Sequence, residues 1–356
     1  MSSHAQTASP VQAGAVKCVV WDLDDTLWQG VLLEEKEVGL RPRIQEVLRT
    51  LDARGILQSI ASRNEPEHAR QQLERFGVWE FFLHPQIGWG SKSASIQRIA
   101  EQLNIGIDSI AFVDDSPFEL AEVAHELPKV RCVDARDYES LLERPEFRPP
   151  FITQDTQLRR RMYIEDMQRQ QHEERFEGPK EDFLKTLDMR LAIFDAARED
   201  LERAHELTQR THQLNSTGIT YGYEELEQLM RSERHSLLMC SLDDRFGSYG
   251  RVGLMLLERN PEGWVLRLLL MSCRVMNRGV GSVLLNFVMS SARARGVELR
   301  ADFIPTDRNR PMAIAYAFAG FREVQSANGV QVLRADLSRV QGLPPYLTLD
   351  TSGAAL

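Results

Sequence analysis

The chain has 356 residues, enough for two ordinary domains with separate cores, and its 42% apolar and 27% charged residues place it among soluble globular proteins. A formal charge of −9 at pH 7 argues against a nucleic-acid partner, whose footprint would be basic. No apolar run reaches the roughly 18 residues needed to span a bilayer, so no membrane partner is expected.

Residues 1–15 are small and polar, without a signal-peptide core, and are expected to be disordered. The four cysteines, Cys18, Cys132, Cys240 and Cys273, form no C-x-x-C pair. Together these features predict a cytoplasmic protein with reduced thiols. Over 16–145, short apolar runs alternate with helical patterns, the mark of βαβ units and a doubly wound parallel sheet. Strands are predicted at 17–22, 56–61, 109–113 and 128–133, and helices at 42–53, 66–76 and 91–103. A fourth helix starts with Ser116 as N-cap and Pro117 at its first position. Pro149-Pro150 ends this stretch. Residues 146–180 form a linker around one polar, charged helix at 155–176, whose faces are expected to be solvated.

Residues 181–341 follow another order. A strand at 189–195 and a helix at 199–213 precede a hairpin, 236–242 and 251–258, around a turn-rich DDRFGSYG. A long apolar strand at 264–273, a helix at 280–293, a strand at 298–304, a helix at 312–319 and a last strand at 330–336 complete it. Residues 342–356 are expected to be a disordered tail.

The chemistry-bearing residues stand at strand ends. Asp22-Leu23-Asp24-Asp25-Thr26 directly follows the first strand, where open α/β sheets place their ligands. Asp22 is positioned there to attack phosphorus as a carboxylate nucleophile. Asp24, two residues on, is positioned to protonate the leaving oxygen and then to activate water. Acidic turns after strands are common, so the triplet alone decides little. Three signals join it. Ser62 ends the second strand in Ala61-Ser62-Arg63-Asn64, where its hydroxyl suits a phosphate oxygen. Lys92 opens the helix after Gly88-Trp89-Gly90-Ser91, placing an ammonium beside phosphate and nucleophile. Asp114-Asp115 ends the third strand with hard oxygens suited to Mg²⁺, which screens the repulsion between Asp22 and an anionic phosphate.

This ordered set resembles the four-motif signature of the haloacid-dehalogenase (HAD) superfamily. The resemblance implies Mg²⁺ held by Asp22, the Asp24 carbonyl and Asp114, with Asp115 nearby, and phosphate held by Thr26, Ser62, Arg63, Asn64 and Lys92. Forty residues separate Asp22 from Ser62 and thirty separate Ser62 from Lys92, too few for the large cap that encloses small substrates. Only a short flap around 28–38 fits, so a capless, open site is expected.

The element order of 181–341 is that of the GNAT acyltransferase fold, in which a Gly-rich turn and helix N-terminus hold pyrophosphate. Arg278-Gly279-Val280-Gly281 sits at that place, and Asn309, Tyr316 and Gly320-Phe321 resemble the closing motif. The usual pattern asks for Gln or Arg at position 276, where this chain has Met276. A phosphopantetheine arm from a carrier protein is therefore expected in place of acetyl-CoA.

Taken whole, residues 16–340 resemble the FkbH-like family of polyketide pathways. The resemblance is carried by Trp21-Asp22-Leu23-Asp24-Asp25-Thr26-Leu27-Trp28, Ala61-Ser62-Arg63-Asn64, Phe112-Val113-Asp114-Asp115-Ser116-Pro117-Phe118-Glu119, Arg210-Thr211-His212-Gln213-Leu214-Asn215-Ser216-Thr217 and Leu269-Leu270-Met271-Ser272-Cys273-Arg274-Val275. It implies an enzyme that moves the glyceryl unit of 1,3-bisphosphoglycerate to an acyl carrier protein and removes phosphate, for a methoxymalonyl-type extender unit. On that resemblance Cys273 carries the acyl group or packs as a core cysteine, and Arg274, Arg278, Gly279 and Gly281 bind substrate. His212 and Asn215 bond substrate or pantetheine, with helix capping the alternative for Asn215. Cys18, Cys132 and Cys240 are read as packing residues. Two other readings stay open: a capless phosphatase acting on a protein-borne phosphate, and an N-acetyltransferase with a vestigial first domain.

Overall fold

Cys18-Val19-Val20-Trp21 makes β1 (Cys18–Trp21), buried at every residue as the centre of a parallel sheet requires. The computed structural model describes residues 15–35 and 37–356, so the disorder expected of 1–15 lies, except for Ala15, outside the described residues. It divides into two compact units between Ile164 and Glu165.

In the first unit, β1 is followed by the antiparallel pair β2 (Trp28–Gln29) and β3 (Gly39–Leu40), which is the expected flap. Then come α1 (Ile44–Ala53), β4 (Leu57–Ser62), α2 (Pro66–Arg75), β5 (Gln86–Ile87) and α3 (Lys92–Gln102). β6 (Ile110–Asp114), α4 (Pro117–Glu126) and β7 (Arg131–Asp134) complete the sheet. Its order is β5-β4-β1-β6-β7, and the pairs are parallel. The chain steps from β1 to one side, then returns to build the other. The switch point of this doubly wound sheet therefore lies at the C-terminal end of β1, the place such folds bind ligands. Ser91 caps α3 by accepting the Ala94 amide, and Ser116 caps α4 by accepting that of Glu119, with Pro117 at its first position.

The charged segment is not one solvated helix. It breaks at Leu158 into α5 (Gln154–Gln157) and α6 (Arg159–Arg175). In the first unit Arg159 Nη1 donates to Gly55 O at 2.9 Å and Arg160 Nε to Asp52 Oδ1 at 3.0 Å. In the second, Arg169 is 1% exposed, donates from Nε to Asp244 Oδ2 at 2.7 Å, and lies 3.8 Å from the Tyr249 ring centre. Long basic side chains bury their stems once their heads are paired, which a polar pattern does not reveal.

The second unit continues with α7 (Lys180–Lys185), β8 (Met189–Asp195), α8 (Leu201–Arg210), α9 (Tyr223–Arg231), β9 (His235–Asp244), β10 (Gly247–Asn260) and β11 (Gly263–Met271). After it come α10 (Val280–Arg295), β12 (Glu298–Phe303), α11 (Arg310–Phe318), β13 (Phe321–Ala327), β14 (Val330–Ala335) and β15 (Leu347–Gly353). The eight-stranded sheet has the order β13-β14-β12-β11-β10-β9-β8-β15. β8 to β11 run antiparallel, β12 is parallel to β11, and β14 and β13 return antiparallel, the connectivity of the GNAT fold. Leu201, Ala204, Leu207 and Leu226 of α8 and α9 cover one face, against Met239, Leu254 and Leu268; α10 and α11 cover the other.

The expected disordered tail is overturned: Leu347 to Gly353 pair in parallel with β8, from Leu347 opposite Met189 onward. β13 is a second addition, joined to β14 through Asn328 (φ 52°) and Gly329 (φ 80°), the left-handed pair of a tight hairpin turn. β11 pairs with β12 only from Gly263 to Leu266. Beyond that, residues 214–216 lie along β11: Ser216 N donates to Leu269 O at 2.9 Å and Met271 N to Leu214 O at 2.8 Å. Among the described residues, no helix is long and apolar enough to cross a membrane.

Candidate active site

The site of the first unit forms at the C-terminal edge of its sheet. The Asp22 amide donates to Val113 O at 2.9 Å, which binds the residue after β1 to β6 and sets its buried carboxylate beside that of Asp114. Lys92, on the first turn of α3 and 4% exposed, donates from Nζ to Asp22 Oδ1 and, at 2.9 Å, to Ala61 O. The same Nζ lies 3.1 Å from Asp114 Oδ2. One cation between two carboxylates joins two strand ends and one helix start, brought together by the sheet.

Burial dominates the electrostatics. It pushes the Asp22 carboxyl up to about 6, with Lys92 opposing and Asp114 adding to the rise. Asp114 is raised as well, first by burial, against the pull of Lys92. Burial by itself lowers the Lys92 ammonium, but Asp22 and Asp114 outweigh it and hold the group above its ordinary range. Asp115 adds a third carboxylate beside this pair: oxygens of Asp22, Asp114 and Asp115 lie within 4.8 Å of one another. Asp114 Oδ2 is buried, with the Lys92 ammonium 3.1 Å away. Three clustered carboxylates with hard oxygen donors beside one ammonium fit Mg²⁺, whose charge would relieve their mutual repulsion.

Asp24 is turned differently. Its Oδ1 accepts from Trp28 Nε1 at 2.8 Å and from the Leu32 amide at 3.0 Å, and its Oδ2 accepts from Asn64 Nδ2 at 2.8 Å. Asn64, expected among the phosphate ligands, thus also holds the carboxylate expected to act as acid and base. Thr26 is fully buried, and its hydroxyl donates to Asp115 Oδ1 at 3.3 Å and accepts the Asp115 amide at 3.0 Å. It positions a metal-side carboxylate. Arg63 pairs with Glu119 at 2.8 Å, and Ser62 ends β4, buried, where it was expected. The part played by Trp28 and the Leu32 amide was missed from sequence. The aromatic four residues after Asp24, inside the flap, was the available signal.

In the second unit the residues of the expected phosphate cradle make contacts within the chain. Arg278 is buried, its Nη1 3.0 Å from Glu173 Oε2 and its guanidinium over the Phe183 ring. Gly279 caps α10 at φ 79°, and a Cβ there would meet the Tyr346 hydroxyl at 2.5 Å. Gly281 packs on Met271, whose terminal methyl would lie 3.0 Å from a Cβ. Cys273 does not end a strand. It starts a single 3₁₀ turn after Ser272, which caps it by accepting the Arg274 amide. Its half-buried thiol lies 3.8 Å from Gln213 Oε1. Cys18 and Cys240 are buried; burial raises both thiols, that of Cys240 to about 12. Cys132 is raised by burial too. Asn215 accepts the Thr217 and Gly218 amides at 3.0 and 2.8 Å, which makes it the organiser of its own loop, while His212 is exposed.

A buried aspartate at the end of the central strand, a lysine and a cluster of carboxylates on a doubly wound sheet fit a phosphohydrolase of the HAD type, here joined to a GNAT-type unit. No protein-family model matches the chain. It is similar to human magnesium-dependent phosphatase 1, with 31% identity over 127 residues, 30% of this chain and 72% of that protein. At that identity and coverage the chain belongs to the magnesium-dependent phosphatase family. Among solved structures, the N-terminal part of a Bacteroides fragilis protein, containing a phosphatase domain complexed with Mg, shares 30% identity. The match covers 36% of this chain and 40% of that one, with a TM-score of 0.34. The ribosomal-protein-S18-alanine N-acetyltransferase of Escherichia coli shares 16% identity over 40% of this chain and 90% of that one, with a TM-score of 0.32.

Proposed function

We propose that the chain transfers the glyceryl unit of 1,3-bisphosphoglycerate to the phosphopantetheine thiol of an acyl carrier protein, with dephosphorylation, to supply a methoxymalonyl-type polyketide extender unit. The observation that carries this reading is the union, in one chain, of an uncapped phosphohydrolase site with a GNAT-type unit bearing a half-buried thiol just beyond β11.

The substrate has two phosphate groups of different chemistry. A thiolate attacks the acyl carbon of the first, the bond from carbon to the phosphate oxygen breaks, and inorganic phosphate leaves as the thioester forms. The second is a monoester. Asp22 attacks its phosphorus, the bond to the glyceryl oxygen breaks, and Asp24 gives that oxygen its proton. Asp24 then takes a proton from water, which attacks the aspartyl phosphate and frees Asp22. Lys92 neutralises charge beside the nucleophile. Asp22, Asp114 and the Asp24 carbonyl, with Asp115 beside them, would hold Mg²⁺, which would neutralise charge on the anionic phosphate.

A capless phosphatase acting on a protein-borne phosphate is the second reading, favoured by the short flap from Trp28 to Leu40. Intact-mass analysis separates the two. A phosphopantetheinylated carrier incubated with the enzyme, Mg²⁺ and 1,3-bisphosphoglycerate is expected to gain a glyceryl mass; an unchanged carrier with phosphate released supports the phosphatase.

A further inference from the structure

Three arginines form a row across the outer strands of the second unit. Arg300 of β12 is directly opposite Arg334 of β14, and Arg334 is directly opposite Arg322 of β13. All three are exposed. Their strand neighbours Leu299, Ala301, Phe321, Leu333 and Ala335 belong to the core beneath α10 and α11, so the alternation of a strand turns the arginines to the opposite face. On that face the buried cluster under α8 and α9 ends with Leu268 and Leu270 of β11 and includes no residue of β12, β14 or β13. The row is open to solvent.

Like charges directly opposite on neighbouring strands destabilise a sheet, and here they occur twice in succession. Internal partners do not cancel them. Glu298 pairs with Arg300. The Asp336 carboxyl is held below its ordinary range first by Ser338, then by Arg339 and Arg322. Arg334, in the middle of the row, has no ion pair or hydrogen bond among the described residues. Glu323 lies on the other face, opposite Leu333. Guarding the sheet edge against strand addition accounts for a charge on β13 alone, since β12 and β14 are paired on both sides. A charge pattern that weakens the fold without serving it is the mark of a surface kept for binding.

We propose that this arginine row docks the acidic face of a helix on a protein partner. Neighbouring strands are about 4.8 Å apart, so the row spans about 10 Å at nearly regular intervals. Carboxylates one turn apart on a helix repeat at about 5.4 Å, which brings one to each arginine. Charge-assisted bonds from guanidinium to carboxylate then replace the repulsion along the row. The chain's formal charge of −9 and the shortness of the row disfavour a nucleic acid, whose sites spread over a broad basic field. This surface is separate from the phosphohydrolase site and does not depend on the carrier-loading function.

The test follows the fluorescence anisotropy of three labelled probes with the full-length protein: a helical peptide with glutamates one turn apart on one face, its glutamine counterpart, and a single-stranded oligonucleotide. Arg334→Gln and the double variant Arg322→Gln, Arg334→Gln change exposed side chains only. Saturable binding of the glutamate peptide is expected, weakened by salt, and at least tenfold tighter than binding of the glutamine peptide or binding by the double variant. The Tm of Arg334→Gln is expected at or above that of wild type, because its repulsion with both neighbours is gone. Equal peptide binding by wild type and the double variant overturns the assignment, as does tighter binding of the oligonucleotide. A lower Tm for Arg334→Gln with peptide binding unchanged makes the row structural and overturns it too. A KM for the carrier at least tenfold higher in the double variant, at unchanged kcat, makes the carrier the protein that docks here.

Discussion

The Asn64 side-chain amide donates to Asp24 Oδ2 at 2.8 Å, so a residue expected beside phosphate also fixes the carboxylate proposed as general acid. With Trp28 and Leu32 on the other oxygen, the carboxylate is held from two sides. Asn64→Ala is expected to lower kcat for a small phosphate ester by roughly 10- to 100-fold, as loss of an orienting partner does, with KM little changed. A raised KM at unchanged kcat would instead make Asn64 a phosphate ligand.

Asp22→Asn removes the nucleophile but keeps its shape and the hydrogen bond of its amide to Val113. Phosphate release is expected to fall below detection while the thermal midpoint stays at or above that of wild type, since one of two carboxylates on Lys92 is gone. Wild-type phosphate release by this variant would refute the assignment of the site.

How far this site was legible depends on whether the chemistry is local. A fully apolar run followed by Asp22-Leu23-Asp24, and Ser62, Lys92 and Asp114 each at an element boundary, announce themselves by pattern. The roles of Asn64 and Thr26 do not, because an amide or hydroxyl that bonds a ligand and one that bonds a neighbouring carboxylate look alike in sequence. The fold failed in the same way at its edges. Leu347-Thr348-Leu349-Asp350 alternates apolar and polar, but too briefly to outweigh its position, and its partner β8 lies more than 150 residues earlier. The Asn328-Gly329 turn, by contrast, was a local hairpin signal that identifies β13.

The tail supplies a stability test. Deleting 342–356 removes β15 and the buried Leu347 and bares the edge of β8. A loss of about 2 kcal/mol, or about 4–8 °C in Tm, is expected from that burial alone, with increased aggregation through the exposed edge. An unchanged melting curve would return the segment to the status of a free tail.

The acidic cluster sets a pH dependence. The Asp22 carboxyl rises from an ordinary 3.8 to about 6 on folding, so the metal-free fold holds its proton more tightly than the unfolded chain does. That group's contribution to stability is full below the unfolded value and is lost as pH rises through about 6. Mg²⁺ needs the ionised form, so its stabilising effect should run the other way. The Tm difference between Mg²⁺ and chelator is expected to be small near about pH 5 and to grow to several degrees by about pH 7.5. A difference that is flat across this range would place the metal away from Asp22.

On the proposed function, Cys273 is the residue whose substitution tells whether the acyl group passes through the enzyme. It sits in a 3₁₀ turn, half-buried beside Gln213, whereas Cys18 and Cys240 are sealed in the core. If it takes the glyceryl group first, enzyme with 1,3-bisphosphoglycerate and no carrier should gain a mass adduct, because thiolate attack on the acyl carbon expels phosphate and leaves a thioester. Hydroxylamine should remove the adduct, and Cys273→Ala should neither form it nor load the carrier at more than a small fraction of the wild-type rate. Cys273→Ser separates packing from chemistry: it keeps the volume nearly constant, so a loss shared by both variants points to the sulfur. Full loading by Cys273→Ala would mean that the pantetheine thiol attacks the acyl phosphate directly, and would make Cys273 a packing residue of the turn.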